Sequence, residues 1–203
     1  TCRVWNKDIR ISAIAKGSGM IAPNLGTMLA FVFTDADIPS VYLKSLLKRT
    51  ITNSFNAISV DSDTSTNDMV AIFATGKVKT GKFYNVLDPK LKDFENALQK
   101  VLLNLSKQIV SDGEGAKKFV TVKVVNARSF QMAKKIAFSV ANSPLFKTAM
   151  AAGDPNWGRI VMGIGKSGEK ISPEKIEIKI GDFKVAEKGK IYEDIDEKKI
   201  KEY

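Results

Sequence analysis

The segment from about Asp88 to Val110 carries apolar residues at helical spacing, which predicts one long amphipathic helix. Two glycines within 112–115 follow it and favour its termination there. Its apolar face comprises Leu91, Phe94, Leu98, Val101, Leu102, Leu105 and Ile109. On both sides of this helix, short apolar stretches alternate with further helical segments. This alternation predicts an α/β or α+β fold.

The remaining periodic segments are short. We expect strands at 9–15, 27–33, 69–74 and 118–125, and a hairpin from 176–184 and 185–192. Helices are expected from Asp37 as capping acid, at 129–141 and from Asp194 onwards, with a helix or strand at 160–164. Residues 75–85 are rich in lysine and glycine, which predicts a boundary between a segment 1–79 and a second subdomain 80–203.

Composition excludes several kinds of chemistry. The 203 residues include no histidine and a single cysteine, Cys2, so a Ser-His-Asp unit, a histidine metal site and an intrachain disulfide are all excluded. We expect no metal, no membrane-spanning helix and a cytoplasmic location. The net charge of +10 comes from lysines spread along the chain, so we expect no nucleic-acid partner and favour a solvated basic surface.

A glycine-rich turn near the start has the residue types of a self-activating nucleophile. It runs from Lys16 through Gly17-Ser18-Gly19 to Gly26, Thr27 and an apolar stretch. A threonine hydroxyl needs a base, and an N-terminal threonine has one in its own α-amine. Cleavage of the Gly26–Thr27 bond would create that amine, and a glycine permits the required backbone bend. From the residues alone, a simple strand threonine after a turn stays the alternative.

Four blocks together resemble the ornithine acetyltransferase (glutamate N-acetyltransferase) family. They are 16–29 with 33–36, 61–68, 112–117, and Lys147-Thr148 with the motif 154–159. The resemblance implies a layered sandwich of the N-terminal-nucleophile type. It also implies self-cleavage between Gly26 and Thr27, with Thr27 as the catalytic nucleophile. The family usually has alanine at the position of Gly26.

The resemblance further implies a substrate site of Lys16, Thr27 and Glu114. Lys16 would bind a substrate carboxylate, and Glu114 would bind an amino group of ornithine or glutamate. The implied reaction moves an acetyl group from N-acetylornithine to glutamate without a cofactor, with acetyl-CoA as a further candidate substrate. The implied partner is the other chain of the self-cleaved precursor, in an α2β2 heterotetramer.

Two alternatives to this enzyme stay open. One is a self-processed aminopeptidase or amidase, and the other is an inactive, truncated family member or a basic binding module. The polar loop 61–68 fails the calcium-loop pattern, because its sixth position is Thr66 and its twelfth is Ile72. We expect its side chains to bond to backbone near the site instead. The motif 154–159 is expected to support the site structurally.

Overall fold

The computed structural model describes residues 1–17, 19, 28–63, 68–193 and 197–202. In this part of the chain, strands and helices alternate as the sequence predicts, and the fold is mixed α/β. The strands are β1 (Cys2–Val4), β2 (Lys7–Ile9), β3 (Ile11–Lys16), β4 (Leu29–Ala36), β5 (Met69–Val78), β6 (Glu177–Ile180), β7 (Phe183–Glu187) and β8 (Lys190–Ile191). The helices are α1 (Ser40–Ile51), α2 (Lys92–Ser111), α3 (Phe130–Ala141), α4 (Pro144–Ala152), α5 (Trp157–Lys166) and α6 (Glu197–Glu202).

The chain divides into two compact units, 1–116 and 117–203. This division differs from the predicted boundary after residue 79. Residues 75–78 continue strand β5, and α2 packs against β1, β3 and α1. The segment 80–116 therefore belongs with the first unit, because its long helix covers that unit's sheet.

The first unit is built on a three-stranded sheet in the order β3-β4-β5. Strand β4 is central, antiparallel to β3 and parallel to β5. Its residues Ala30, Val32, Thr34 and Ala36 are buried, which is the period of two that a strand with one covered face shows. Their partners in the core come from α1 and α2.

The buried residues of α2 repeat at helical spacing and confirm the predicted apolar face. They are Phe94, Leu98, Leu102, Ser106 and Ile109. A 3-10 turn over 89–91 precedes this helix, with Asp88 accepting the Lys90 N–H. The predicted capping role of Asp37 is wrong. Helix α1 begins at Ser40 after Pro39, and the Asp37 carboxylate pairs with Lys79 at 3.0 Å instead.

The second unit combines α3, α4, α5 and α6 with the antiparallel sheet β6-β7-β8. Its core consists of Ile178, Val185, Ala186 and Ile200, with Trp157 packed against them. The predicted strand over 118–125 is wrong, since these residues join no ladder within the described chain. The hairpin turn falls at 181–182, earlier than the expected 184–185. The separate helix α4 was not predicted.

Candidate functional site

Lys16 is the last residue of β3, where the chain leaves the sheet. Its register partner is Leu29, the first residue of β4, and the Lys16 side chain is exposed. The chain thus leaves β3 and enters β4 at adjacent positions of the sheet. Gly26 and Thr27 lie outside the described residues, so their predicted cleavage and nucleophile roles stay predictions.

Gly19 lies close to two carboxylates. A Cβ atom placed on Gly19 would lie 3.7 Å from Asp61 Oδ2 and 3.9 Å from Glu114 Oε2. These distances are ordinary van der Waals separations. Gly19, Asp61 and Glu114 thus lie near one another. They belong to three of the four sequence blocks that carry the family resemblance.

Glu114 is positioned by the end of helix α2. The helix ends at Ser111, and the Ala116 N–H donates to the Gly113 carbonyl at 2.9 Å to close the following turn. A Cβ on Gly113 would lie 3.0 Å from Val60 Cγ1, so a side chain here would push Val60 away. Glycine at 113 thus allows Val60 to pack against the helix end, one residue before the exposed Glu114.

Asp68 bonds to the backbone at the start of β4. Its Oδ1 accepts the Met28 N–H at 2.5 Å, although the two residues are 40 positions apart. At the other end of the same loop, Asp61 Oδ1 accepts the Asp63 N–H at 3.0 Å. Both bonds agree with the prediction that this loop bonds to backbone. Partial burial raises the pKa of the Asp68 carboxyl, and the Met28 N–H opposes that rise.

The motif 154–159 forms the turn between α4 and α5. Gly153 adopts a left-handed φ of 66°, and the Asp154 N–H donates back to the Ala149 carbonyl at 2.8 Å, which closes α4. Asn156 then caps α5 by accepting the Arg159 N–H at 3.3 Å. The motif therefore joins two helices within the second unit, and its expected support of the site stays a prediction.

A cavity of about 390 Å³ also lies in the second unit, between residues 118–123, α3, α4 and β6. None of Lys16, Asp61, Asp68 or Glu114 lines it. Among the described residues, no group of three or more histidine, cysteine, aspartate or glutamate side chains could hold a metal ion. No helix in that part of the chain is long and apolar enough to cross a membrane.

The described part of the first unit thus places two carboxylates near Gly19, three residues after Lys16 in the sequence. Lys16 can bind a carboxylate, while Glu114 and Asp61 can bind an ammonium group. Sequence analysis identified Lys16 and Glu114 but did not single out Asp61 or Asp68. The sequence signal for these two residues was the high density of aspartates in 61–68. That density does not identify which carboxylate lies near Gly19.

Known proteins resemble this chain over its whole length. The sequence pattern of the ArgJ family matches residues 1–203. The arginine biosynthesis bifunctional protein ArgJ of Mesorhizobium japonicum is 49% identical over 192 residues, which are 93% of this chain and 46% of that protein. The protein of the same name from Caulobacter vibrioides is 48% identical over 203 residues, covering 100% of this chain and 50% of its own length. The chain spans about half the length of the curated relatives it matches.

A solved structure agrees with the fold. The crystal structure of the arginine biosynthesis bifunctional protein ArgJ from Bacillus halodurans superposes with a TM-score of 0.82 and 39% identity. The match covers 87% of this chain and 82% of that one. With the family pattern matching every residue and the fold shared with a solved relative, this chain belongs to the ArgJ family.

Proposed function

We propose that this chain carries the nucleophile of an acetyltransferase of arginine biosynthesis, which moves an acetyl group from N-acetylornithine to glutamate. The observation that carries the proposal is the family match over residues 1–203, shared with relatives named for arginine biosynthesis. The closeness of Gly19 to the carboxylates of Asp61 and Glu114 supports it, because these carboxylates could attract a substrate ammonium group.

The first proposed step is self-cleavage. The Thr27 hydroxyl attacks the Gly26 carbonyl carbon, the acyl group moves from nitrogen to oxygen, and the Thr27 nitrogen takes up a proton to become an amine. Water then hydrolyses the ester and leaves a carboxylate on Gly26. Thr27 becomes N-terminal, with an α-amine of ordinary pKa about 7.7–8.0 that can accept a proton near neutral pH.

The second proposed step is transfer in two halves. The Thr27 α-amine takes the hydroxyl proton while Oγ attacks the acetyl carbonyl of N-acetylornithine. The carbon–nitrogen bond breaks, and that proton leaves with ornithine. The glutamate amine then attacks the threonine ester, which restores the hydroxyl. Lys16 holds a substrate carboxylate, and Glu114 attracts the substrate ammonium group.

Further parts of the proposal concern donors and partners. Acetyl-CoA is a second acetyl donor at the same threonine. The partner is the other chain released by self-cleavage, in an α2β2 heterotetramer, and the location is the cytoplasm. Native mass spectrometry of the purified full-length protein tests the assembly, and radiolabelled acetyl-CoA with glutamate tests the donor.

The central test is the intact mass of the full-length protein and of its Thr27→Ala variant. We expect two wild-type fragments, one beginning at Thr27, and one acetyl group per chain after addition of N-acetylornithine. Thr27→Ala should stay uncut and unlabelled. Thr75→Ala, at an exposed threonine of β5, is the matched control and should behave as the wild type. Normal turnover by Thr27→Ala would refute the proposal.

The same preparation separates the alternatives. Omission of glutamate leaves a transferase acetylated, whereas an aminopeptidase or amidase continues to release free acid. An uncut, unlabelled wild type would indicate an inactive family member. Lys16→Met should raise the KM for a carboxylate-bearing substrate about 10-fold or more, since hydrogen bonds to charged groups contribute about 1.5–3 kcal/mol. Lys77→Met, at an exposed lysine of β5, is its control.

A further inference from the structure

Both backbone groups of Met28 are held, one by Asp68, just before β5, and one by Met69, its first residue. Its N–H donates to Asp68 Oδ1 at 2.5 Å, and its carbonyl accepts the Met69 N–H at 3.0 Å. The first ladder pair between β4 and β5 is Leu29 with Met69. The Asp68 side chain therefore extends the fixed part of β4 by one residue beyond the ladder, in the direction of Thr27.

The Asp68 carboxylate is partly shielded from solvent, unlike that of an exposed loop residue. Asp68 is half-buried, and Met28 beside it is only 5% exposed. Burying a carboxylate costs free energy unless it is hydrogen-bonded. Burial raises the pKa of this carboxyl, which reflects that cost, and the Met28 N–H partly offsets it. The hydrogen bond to Met28 thus offsets part of the free-energy cost of burying the Asp68 carboxylate.

The Met28 N–H belongs to the peptide unit that joins Met28 to Thr27. A peptide unit is planar, so its N–H, its carbonyl and both flanking Cα atoms share one plane. Asp68 fixes the direction of the Met28 N–H. It therefore restricts rotation of the peptide plane that joins Thr27 to Met28. No other described side chain is shown to accept from this N–H.

We propose that Asp68 is a positioning residue for Thr27, which orients the nucleophile by holding the next N–H in the chain. This inference rests on the proposed function of Thr27. It predicts that the carboxylate acts through its acceptor atom and affects the chemical steps at Thr27, self-cleavage and acetyl uptake, without contacting the substrate. Asp68→Asn keeps an acceptor at Oδ1, whereas Asp68→Ala removes it.

The experiment compares these two variants with the wild type in the full-length protein. Self-cleavage is followed by intact mass, active threonines are counted by the acetyl burst from N-acetylornithine, and turnover is expressed per active threonine. Asp68→Ala should slow cleavage and kcat per site by about 10- to 100-fold with little change in KM, as expected for a misplaced reacting group. Asp68→Asn should stay within about threefold of the wild type.

Controls separate positioning from folding. Asp63→Ala removes an exposed carboxylate of the same loop and should match the wild type. If Asp68→Ala does not fold, Asp68→Glu decides, because it keeps the charge but moves the acceptor by one methylene and should also lower kcat per site. A merely structural role would reduce the number of active threonines but leave the rate per threonine unchanged.

Either of two results would overturn the inference: wild-type rates per site in a folded Asp68→Ala protein, or wild-type rates in Asp68→Glu when the alanine variant does not fold. A wild type that neither cuts itself nor takes up acetyl refutes the proposed function, and this inference with it. That failure appears in the wild type, whereas failure of the Asp68 inference alone appears only in the variants.

Discussion

Gly163 allows helices α3 and α5 to approach more closely than any other residue would. It is buried in α5, and a Cβ atom placed on it would lie 2.9 Å from Val140 Cα and 3.0 Å from Val140 Cγ2 on α3. At the same crossing, Ser139 Oγ donates to the Gly163 carbonyl at 2.6 Å. The nearest atom is backbone, so a rotamer change cannot relieve the contact. Gly163→Ala must therefore separate the two helices.

The expected free-energy change combines two opposing effects. Inserting a methyl group into a packed core costs about 1–3 kcal/mol, and a rigid backbone neighbour favours the upper part of that range. Alanine is more favourable than glycine inside a helix by about 0.8–1.0 kcal/mol. The net expectation for Gly163→Ala is a loss of about 1–2 kcal/mol in the free energy of unfolding. Gly165, two residues later, has open space at its Cβ position, so Gly165→Ala should instead stabilise by up to about 1 kcal/mol.

The assay uses the two tryptophans of the chain, one in each unit. With Trp5 replaced by phenylalanine, the fluorescence of Trp157 reports urea unfolding of the second unit alone, because Trp157 packs against that unit's core. Changes in the midpoint at constant m-value give the free-energy differences. Equal or greater stability of Gly163→Ala would refute the close-packing argument, and a destabilising Gly165→Ala would refute the helix-propensity argument.

Three further predictions concern charged groups. Hydrogen bonds from Lys184 and, to a smaller extent, Lys179 lower the pKa of the Glu177 carboxyl. This pairing should therefore stabilise the fold above about pH 4 and lose its effect as the pH falls through the lowered pKa. The difference in urea midpoint between the wild type and Glu177→Gln should shrink from pH 7 to strongly acidic conditions. The part-buried Arg49–Glu95 pair at 2.8 Å joins α1 to α2, and Glu95→Ala should cost about 1–2 kcal/mol in urea unfolding followed by circular dichroism. Asp88→Ala removes the acceptors for two backbone N–H groups before α2 and should lower the melting temperature; Asp88→Asn should lower it too, because it keeps one acceptor oxygen but sets its NH2 group against the other N–H.

The elements that the sequence predicts well are those whose pattern is local. The face of α2 follows from a spacing that any helix would show, and the end of that helix follows from the glycines after it. The segment 118–125 has an equally clear alternation and is nevertheless no strand in the described chain. Alternation indicates that a segment has one apolar and one polar face. A strand also needs a neighbouring strand to complete its hydrogen bonds, and the sequence of the segment does not identify that neighbour.

The helix cap predicted at Asp37 is wrong for the same reason: its partners are distant in the sequence. An acid shortly before a proline is typical of a helix start, but here the Asp37 N–H donates to the Val78 carbonyl at 2.9 Å and the carboxylate pairs with Lys79. Both partners lie about 40 residues further along the chain. These contacts to the last residue of β5 and the residue after it take the place of a helix cap, and a short stretch of sequence around Asp37 does not include them.

The candidate site depends on such distant contacts to a greater degree than the fold does. The family resemblance implies a lysine, a threonine and a glutamate as substrate-binding residues, and these roles stay predictions. The described surroundings of this candidate site depend on the packing of Val60 against Gly113, next to Glu114, and on the bond from Met28 to Asp68. Both contacts join segments that meet only after the sheet and α2 have assembled. A substitution at Gly113 or Asp68 is thus expected to disturb the site while leaving the predicted substrate-binding residues unchanged.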